Sequence, residues 1–286
     1  MDQAQGIRQM KSQHPVRVIA VTSGKGGVGK SNVTINLAVA LAQSGESVMV
    51  MDADMGLANI DVLLGLCPGQ NLSHVINGEC SLEETIIEGP AGIRIVPASS
   101  GVAAMSDLTP AQNAGVIRSF SELTEPVDTL LIDTAAGLSD SVVSYTRAAR
   151  EVIVVVCDEP ASITDAYAMV KVMNRDYGVE RFHVLANQAQ GVQQGRELYN
   201  KLARVSQKFL DVTLDFLGSV PYDESLKKAV QKQKAVVEAF PRSPSAQAFK
   251  QVASKTQQWP TPSEMEGHLE FFIERLVNFN AQEDRL

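Results

Sequence analysis

Cysteine is scarce and scattered: Cys67, Cys80 and Cys157 are three in the whole chain, and no two form a Cys-x-x-Cys pair. That spacing offers neither a disulfide framework nor a zinc site, and it fits a reducing cytoplasm. The histidines His14, His74, His183 and His268 are dispersed and show no ligand spacing, so they read as structural or surface residues. No apolar run approaches the roughly 18 residues a membrane span needs. The chain turns acidic at once, at Asp2, and shows no apolar signal core. Positive charge is also in deficit. The 25 Lys and Arg against 33 Asp and Glu give a net charge of −8, which argues against direct, general binding of DNA. No internal repeat and no low-complexity linker precedes residue 257.

What is present is a phosphate cradle. The apolar run Val16–Val21 reads as a buried strand, and Val33, Leu37, Ala40 and Leu41 fall on one helical face. Between them stands Gly24-Lys25-Gly26-Gly27-Val28-Gly29-Lys30-Ser31. Glycines there let backbone N–H groups turn inward without a side-chain clash, and the helix N-terminus adds partial positive charge. Lys30 is placed to reach the β- and γ-phosphates, and the Ser31 hydroxyl to ligate Mg²⁺. A dinucleotide reading of the overlapping Gly-x-Gly pieces leaves Lys30 and Ser31 without a role.

The rest of the core alternates. Strand candidates are Arg17–Thr22, Ser47–Asp52, Ile93–Pro97, Thr129–Asp133, Val152–Cys157, Phe182–Asn187 and Phe216–Val220, with helical segments between most of them. This predicts an α/β fold: a doubly wound, mostly parallel sheet with helices on both faces and ligands at the carboxyl ends of the strands. A single domain over residues 16–256 is the economical division, with a tail at 1–15 and a linker and helix at 257–286. At the strand ends stand Asp52 and Asp54, i and i+2 on one face, and Asp133, which closes the apolar run Leu130-Leu131-Ile132. Asp133 suits a magnesium ligand acting through water, followed by small residues that let a loop move.

Lys25, early in the loop, is a second lysine that an ordinary phosphate loop does not need. Lys25-Gly26-Gly27-Val28-Gly29-Lys30-Ser31 resembles the deviant Walker A motif of the MinD/ParA class of P-loop ATPases. The resemblance implies a MinD-like P-loop NTPase fold and an ATP-sandwich homodimer in which Lys25 crosses to the partner's phosphates. It implies that Asp54 orients or activates the attacking water and that Asp52 sits near the Mg²⁺ shell. Hydrolysis of ATP to ADP and phosphate is then slow and magnesium-dependent, because positioning and charge stabilisation do most of the work in phosphoryl transfer. Thr134-Ala135 stands where the family usually shows proline or cysteine, which leaves the conformation of the following loop open. By the same resemblance, Asn187 reads adenine's edge, with Gln188 where arginine often follows, and Pro221-Tyr222-Asp223 flank the base. A strand-end asparagine is also a turn former, and Pro221 equally a strand terminator. Asp158-Glu159-Pro160 could meet the partner's ribose or the interface.

Both ends of the chain carry further signals. Asp2-Gln3-Ala4-Gln5-Gly6-Ile7-Arg8 could form one or two helical turns that alone would be marginal, with Gly6 weakening them by about 1 kcal/mol relative to Ala. The segment resembles the Asp-Gln-Ala-x-x-Leu-Arg signature of the FlhG/FleN flagellar-number branch of the family. That implies docking of Asp2, Gln3 and Arg8 on an SRP-type GTPase, FlhF, and stimulation of its GTP hydrolysis. After a linker carrying Pro260 and Pro262, Leu269, Phe272, Ile273, Leu276 and Val277 follow i, i+3, i+4, i+7, i+8, an amphipathic helix with Phe271 on the opposite face. Its polar face is acidic (Glu266, Glu270, Glu274), which anionic lipid would repel. Weak, regulated membrane contact and docking on its own core or a partner both remain open. Lys227, Lys228, Lys232 and Lys234 form the one basic cluster, read as a solvated helix face, with a protein or DNA contact as the alternative.

The branch resemblance implies an ATP-dependent dimer that limits flagellar number. It would restrain a σ54-type transcription activator of the FleQ kind and stimulate FlhF. The chain would be cytoplasmic and could be peripheral at the inner membrane or cell pole. The rival is a MinD- or ParA-type positioning ATPase acting on membrane or DNA cargo. An iron–sulfur reductase of related fold needs interface cysteines that this spacing does not offer.

Overall fold

The computed structural model describes residues 15–56, 58–99, 108–260 and 269–273. Among them, eight strands form one sheet: β1 (Arg17–Thr22), β2 (Val48–Ala53), β3 (Ile87–Glu88), β4 (Arg94–Val96), β5 (Thr129–Thr134), β6 (Glu151–Val156), β7 (Arg181–Ala189) and β8 (Thr213–Pro221), in the order β3-β4-β2-β5-β1-β6-β7-β8. All neighbours pair parallel except β3 with β4. The doubly wound, mostly parallel sheet expected from the sequence is therefore present. The helices are α1 (Lys30–Gln43), α2 (Ile60–Leu64), α3 (Leu72–Ile76), α4 (Leu82–Thr85), α5 (Pro110–Ser119), α6 (Asp140–Ala148), α7 (Pro160–Tyr177), α8 (Val192–Phe209), α9 (Glu224–Gln231), α10 (Val236–Ala239) and α11 (Pro244–Thr256).

Strand alternation sorts the core into two faces. Ile19 and Val21 of β1, Val48 and Val50 of β2, and Leu131 of β5 pack under α1 and α11, with Phe249 fully buried. Val18, Ala20, Met49, Met51, Leu130 and Ile132 point the other way, onto Leu72, Val116, Phe120 and Tyr145. Towards the β8 edge, α7 and α8 cover that second face through Met169, Val170, Leu198 and Leu202. A strand buried on both faces reads as a continuous apolar run, which is why β1, β5 and β6 were legible. Polar groups tie the layers together. The buried Asn36 of α1 accepts the N–H groups of Val236 and Val237 at 2.7 and 3.3 Å and so fixes the start of α10.

At the amino ends of the strands, His183 on β7 lies between Glu151 of β6, 2.8 Å from Nε2, and Asp215 of β8, 3.8 Å from Nδ1. The ring of Trp259 stacks on the His183 imidazole with centroids 4.0 Å apart. This stack seats the end of α11 on the sheet.

Of the amphipathic helix expected over residues 269–277, only 269–273 lie among the described residues, where a turn leads into helix at Ile273. Over Leu269–Ile273 the adjacent Phe271 and Phe272 are both buried, at 5 % and 2 % exposure, and Phe272 takes a left-handed φ of +54°. Two neighbouring aromatics can face one core only where the chain turns, so packing overrides the helical period at this point. Phe120 meets both rings edge-on, at 5.0 and 5.8 Å. The buried Glu270 accepts from Arg150 Nε at 3.1 Å and Nη2 at 2.9 Å. Leu269 packs against the same cluster, so the segment is docked on its own core. Leu276 and Val277, like Asp2, Gln3 and Arg8 of the tail, lie outside the described residues. Among the described residues no helix is long and apolar enough to cross a membrane.

Phe272→Ala should lower stability by about 3–5 kcal/mol, as for a buried aromatic in a close-packed core. Urea unfolding at pH 7 measures it. A loss below about 1 kcal/mol would mean the segment contributes little to the fold.

Candidate functional site

The site lies where β1, β2 and β5 end. β1 runs into the glycine loop and α1 begins at Lys30, with Gly29 as its N-cap at φ +85°. Two glycines here are required by space. A Cβ on Gly24 would come within 2.2 Å of the Asp165 carbonyl carbon, because the loop lies against the backbone of α7. One on Gly29 would come within 2.5 Å of Asn187 Nδ2. The exposed Gly26 and Gly27 leave the loop's outer side open.

Lys30 is 8 % exposed and donates from Nζ to Asp133 Oδ1 at 2.9 Å. Thr34, one turn along α1, donates to the same oxygen at 2.9 Å. Sequence reading missed Thr34. The signal available was a hydroxyl at i+4 from the lysine, on the helix face that meets β5. Asp133 Oδ2 is buried with no hydrogen-bond partner among the described residues. An unpaired carboxylate oxygen in this setting suits a ligand that brings its own donors, such as a hydrated cation.

Asp52 and Asp133 are register partners across β2 and β5. Asp52 is fully buried, and burial and then the Asp133 charge push its carboxyl up to about 7, against the pull of three backbone hydrogen bonds. Those bonds are its visible work. Oδ1 accepts Asp54 N–H at 3.1 Å, and Oδ2 accepts Asn59 and Ile60 N–H at 3.0 and 3.1 Å. Asp52, expected near the magnesium shell, stands beside Asp133 and through these bonds also shapes the loop that carries Asp54 and starts α2. Asp54 itself is half-buried at the end of β2.

Lys25 projects from the loop and pairs with Glu159, the N-cap residue of α7. This hydrogen bond raises the Lys25 ammonium above its usual range. In the single chain, therefore, Lys25 is held by its own α7.

The residues expected on the base side take several places. Asn187 is buried, and its Nδ2 donates to the Val28 carbonyl at 2.8 Å, bracing the phosphate loop from β7. The next residue, Gln188, takes a left-handed φ of +57° and turns outward. With Ala189, Gln190, Pro221 and Tyr222 it lines a pocket of about 390 Å³ at the ends of β7 and β8. Asp223 is not in that lining. It caps α9 by accepting Ser225 N–H at 2.8 Å, and it accepts Ser245 N–H and Oγ–H at 3.0 and 2.7 Å at the start of α11. A carboxylate after a strand is as good a helix cap as a ligand, and two helix starts compete for this one. Burial works against the charge, but the bonds from Ser245 and Ser225 outweigh it and hold the carboxyl at about 2.

A family model described as ParA, NUBPL iron-transfer P-loop NTPase, matches residues 15–257. The chain is 59 % identical to antiactivator FleN of Pseudomonas aeruginosa, over 96 % of this chain and 98 % of that one. It is 31 % identical to the flagellum site-determining protein YlxH of Helicobacter pylori, over 98 % and 97 %. Among solved structures, the septum site-determining protein MinD of Pyrococcus horikoshii, complexed with Mg-ADP, superposes with a TM-score of 0.70 at 26 % identity, covering 85 % of this chain and 96 % of that one.

Asp223→Ala should cost about 1 kcal/mol at pH 7, as for a lost N-cap. The folded-state carboxyl sits at about 2 against an ordinary 3.8, so its contribution is complete above about pH 4 and fades as pH falls towards 2. Unfolding of wild type and variant followed from pH 7 to 2 should show the gap closing in that window. A gap unchanged at pH 2 would place the effect elsewhere.

Proposed function

The chain belongs to the ParA/MinD family of P-loop NTPases, and from that premise we propose that it is an ATP-driven dimerising switch that limits flagellar number. The observation that carries the reading is the 59 % identity to antiactivator FleN over 96 % of this chain and 98 % of that one. As a FleN homologue it would restrain a FleQ-type σ54 activator, and its tail, through Asp2, Gln3 and Arg8, would stimulate an FlhF-type GTPase.

The site's own residues supply the parts. Loop N–H groups from Gly26 to Ser31 and the Lys30 ammonium would hold the β- and γ-phosphates. Gln188, Pro221 and Tyr222 would line the base, while Asn187 acts on the loop through Val28. Ser31 and Asp133 would hold Mg²⁺, with Asp133 Oδ2 the free oxygen for it. When bound, the ion neutralises charge that builds on the phosphoryl group. Lys30 would have to leave Asp133 for the phosphates, which transfers the buried carboxylate from ammonium to metal. Asp54, held by the Asp52-ordered loop, would orient the water, giving slow hydrolysis.

Dimerisation is supported by what lies on the same edge. Leu138, 38 % exposed, stands just beyond the β5 loop, and Val192, 69 % exposed, just beyond β7. Lys25 projects between those two loops and is released only when Glu159 is given up. A second copy facing this edge would cover both apolar residues and receive Lys25.

Sedimentation with ATP and Mg²⁺ tests this. Wild type should pass from monomer to dimer. Lys25→Ala should stay monomeric at the same ATP while melting as wild type does, and Asp54→Ala should hold a long-lived dimer with lowered turnover. A Lys25→Ala dimer as strong as wild type would sink the sandwich reading.

The branch assignment is tested with FlhF. GTP hydrolysis by FlhF should rise with the full chain and not with one lacking residues 1–15. Equal stimulation by both would remove the tail from the mechanism.

A further inference from the structure

Four described residues other than glycine take a left-handed backbone conformation, and Gln233, at φ +53°, is one of them. It occupies the turn after α9. Lys234 N–H bonds to Ala229 O at 3.0 Å and Gln233 N–H to Val230 O at 2.9 Å. That pairing is a Schellman ending, whose left-handed position normally carries glycine because a Cβ is strained there. A long side chain at that position needs a reason that outweighs the strain.

The side chain shows one. Gln233 Nε2 donates to the Val62 carbonyl at 3.0 Å, in the last turn of α2. Its Oε1 lies over Gly65, where an added Cβ would be 2.9 Å away. Gly65 is itself left-handed, at φ +65°, and ends α2. The two helix ends thus interlock, one glycine making room for the other's glutamine.

α2 is a five-residue helix, too short to hold itself. Its start is fixed by Asp52, which accepts Asn59 and Ile60 N–H and also orders the backbone of Asp54. Its end is fixed by Gln233. The turn that carries Gln233 is in turn fixed to the phosphate-loop helix, because Asn36 of α1 accepts the N–H groups that open α10, three and four residues on. A continuous path therefore runs from α1 through the Gln233 turn to α2 and back to the Asp52–Asp54 strand end.

We infer that Gln233 is a positioning residue of the nucleotide site: its amide anchors α2 to the turn braced by α1, and through α2 it holds the Asp54 loop in register with the phosphate loop. The inference rests on the ATPase reading given above. It assigns Gln233 no contact with nucleotide, so its loss should spare the binding of ATP and slow the chemical step.

Gln233→Gly is the informative variant. Glycine suits the left-handed turn better than glutamine, so the fold is preserved while the anchor is cut. The melting temperature should equal or exceed that of wild type. ATP affinity should stay within about two-fold, turnover should fall by about five-fold, and amide exchange over residues 58–66 should quicken by a similar factor, the scale of one net hydrogen bond. Turnover and exchange both within about two-fold of wild type would overturn the inference, as would a turnover loss that merely follows a fall in melting temperature or affinity. Lys30→Ala gives the background rate. If wild type does not exceed it, the ATPase reading fails by itself, and exchange over residues 58–66 then decides on Gln233: quickened exchange upholds the anchor, unchanged exchange removes it.

Discussion

The buried pair of Lys30 and Asp133 governs the arrangement of this molecule. An ammonium at 8 % exposure and a carboxylate at 0 % are tolerable only together, since either alone would carry a heavy desolvation penalty. Asp52, on the next strand and also buried, adds a second acid beside the first. Two acids and one base leave the cavity short of positive charge. Part of that deficit is met by the raised carboxyl of Asp52 and by three backbone N–H groups aimed at it. Asp133 Oδ2 is left buried without a hydrogen-bond partner among the described residues. The parallel sheet makes the arrangement possible by ending β2 and β5 in register, so that both acids reach the same edge.

Much of this was legible beforehand. Strands buried on both faces betray themselves as apolar runs, and each of the seven read from sequence overlaps a strand of the sheet within a few residues. β3 escaped because two residues, Ile87 and Glu88, pair antiparallel to an edge strand and carry no periodicity. The glycine loop was legible because its spacing serves one purpose. The residues that braced or capped were harder. Asn187, Asp223 and Asp52 each have a side chain that a ligand could use, and each also bonds to the backbone in this fold. Such competition is settled by which N–H or C=O groups are left over when helices and strands end, and that accounting needs coordinates.

The C-terminal segment teaches the converse lesson. Its apolar residues do follow a helical period, yet Phe271, which the period sets aside, is buried as well as Phe272. Edge-on contact with Phe120 and the Arg150–Glu270 pair outweigh the gain from continuing a regular turn. An amphipathic pattern states which residues want cover. It does not state the backbone path by which they obtain it.

The stack of Trp259 on His183 has a bearing on how the molecule can be watched. The chain has a single tryptophan, and it is clamped at the amino edge of the sheet, with the phosphate loop at the other. Indole emission is thus a built-in optical label for the seating of α11 rather than for nucleotide arrival. Nature has, in effect, placed the chain's lamp at the end of the building farthest from the door.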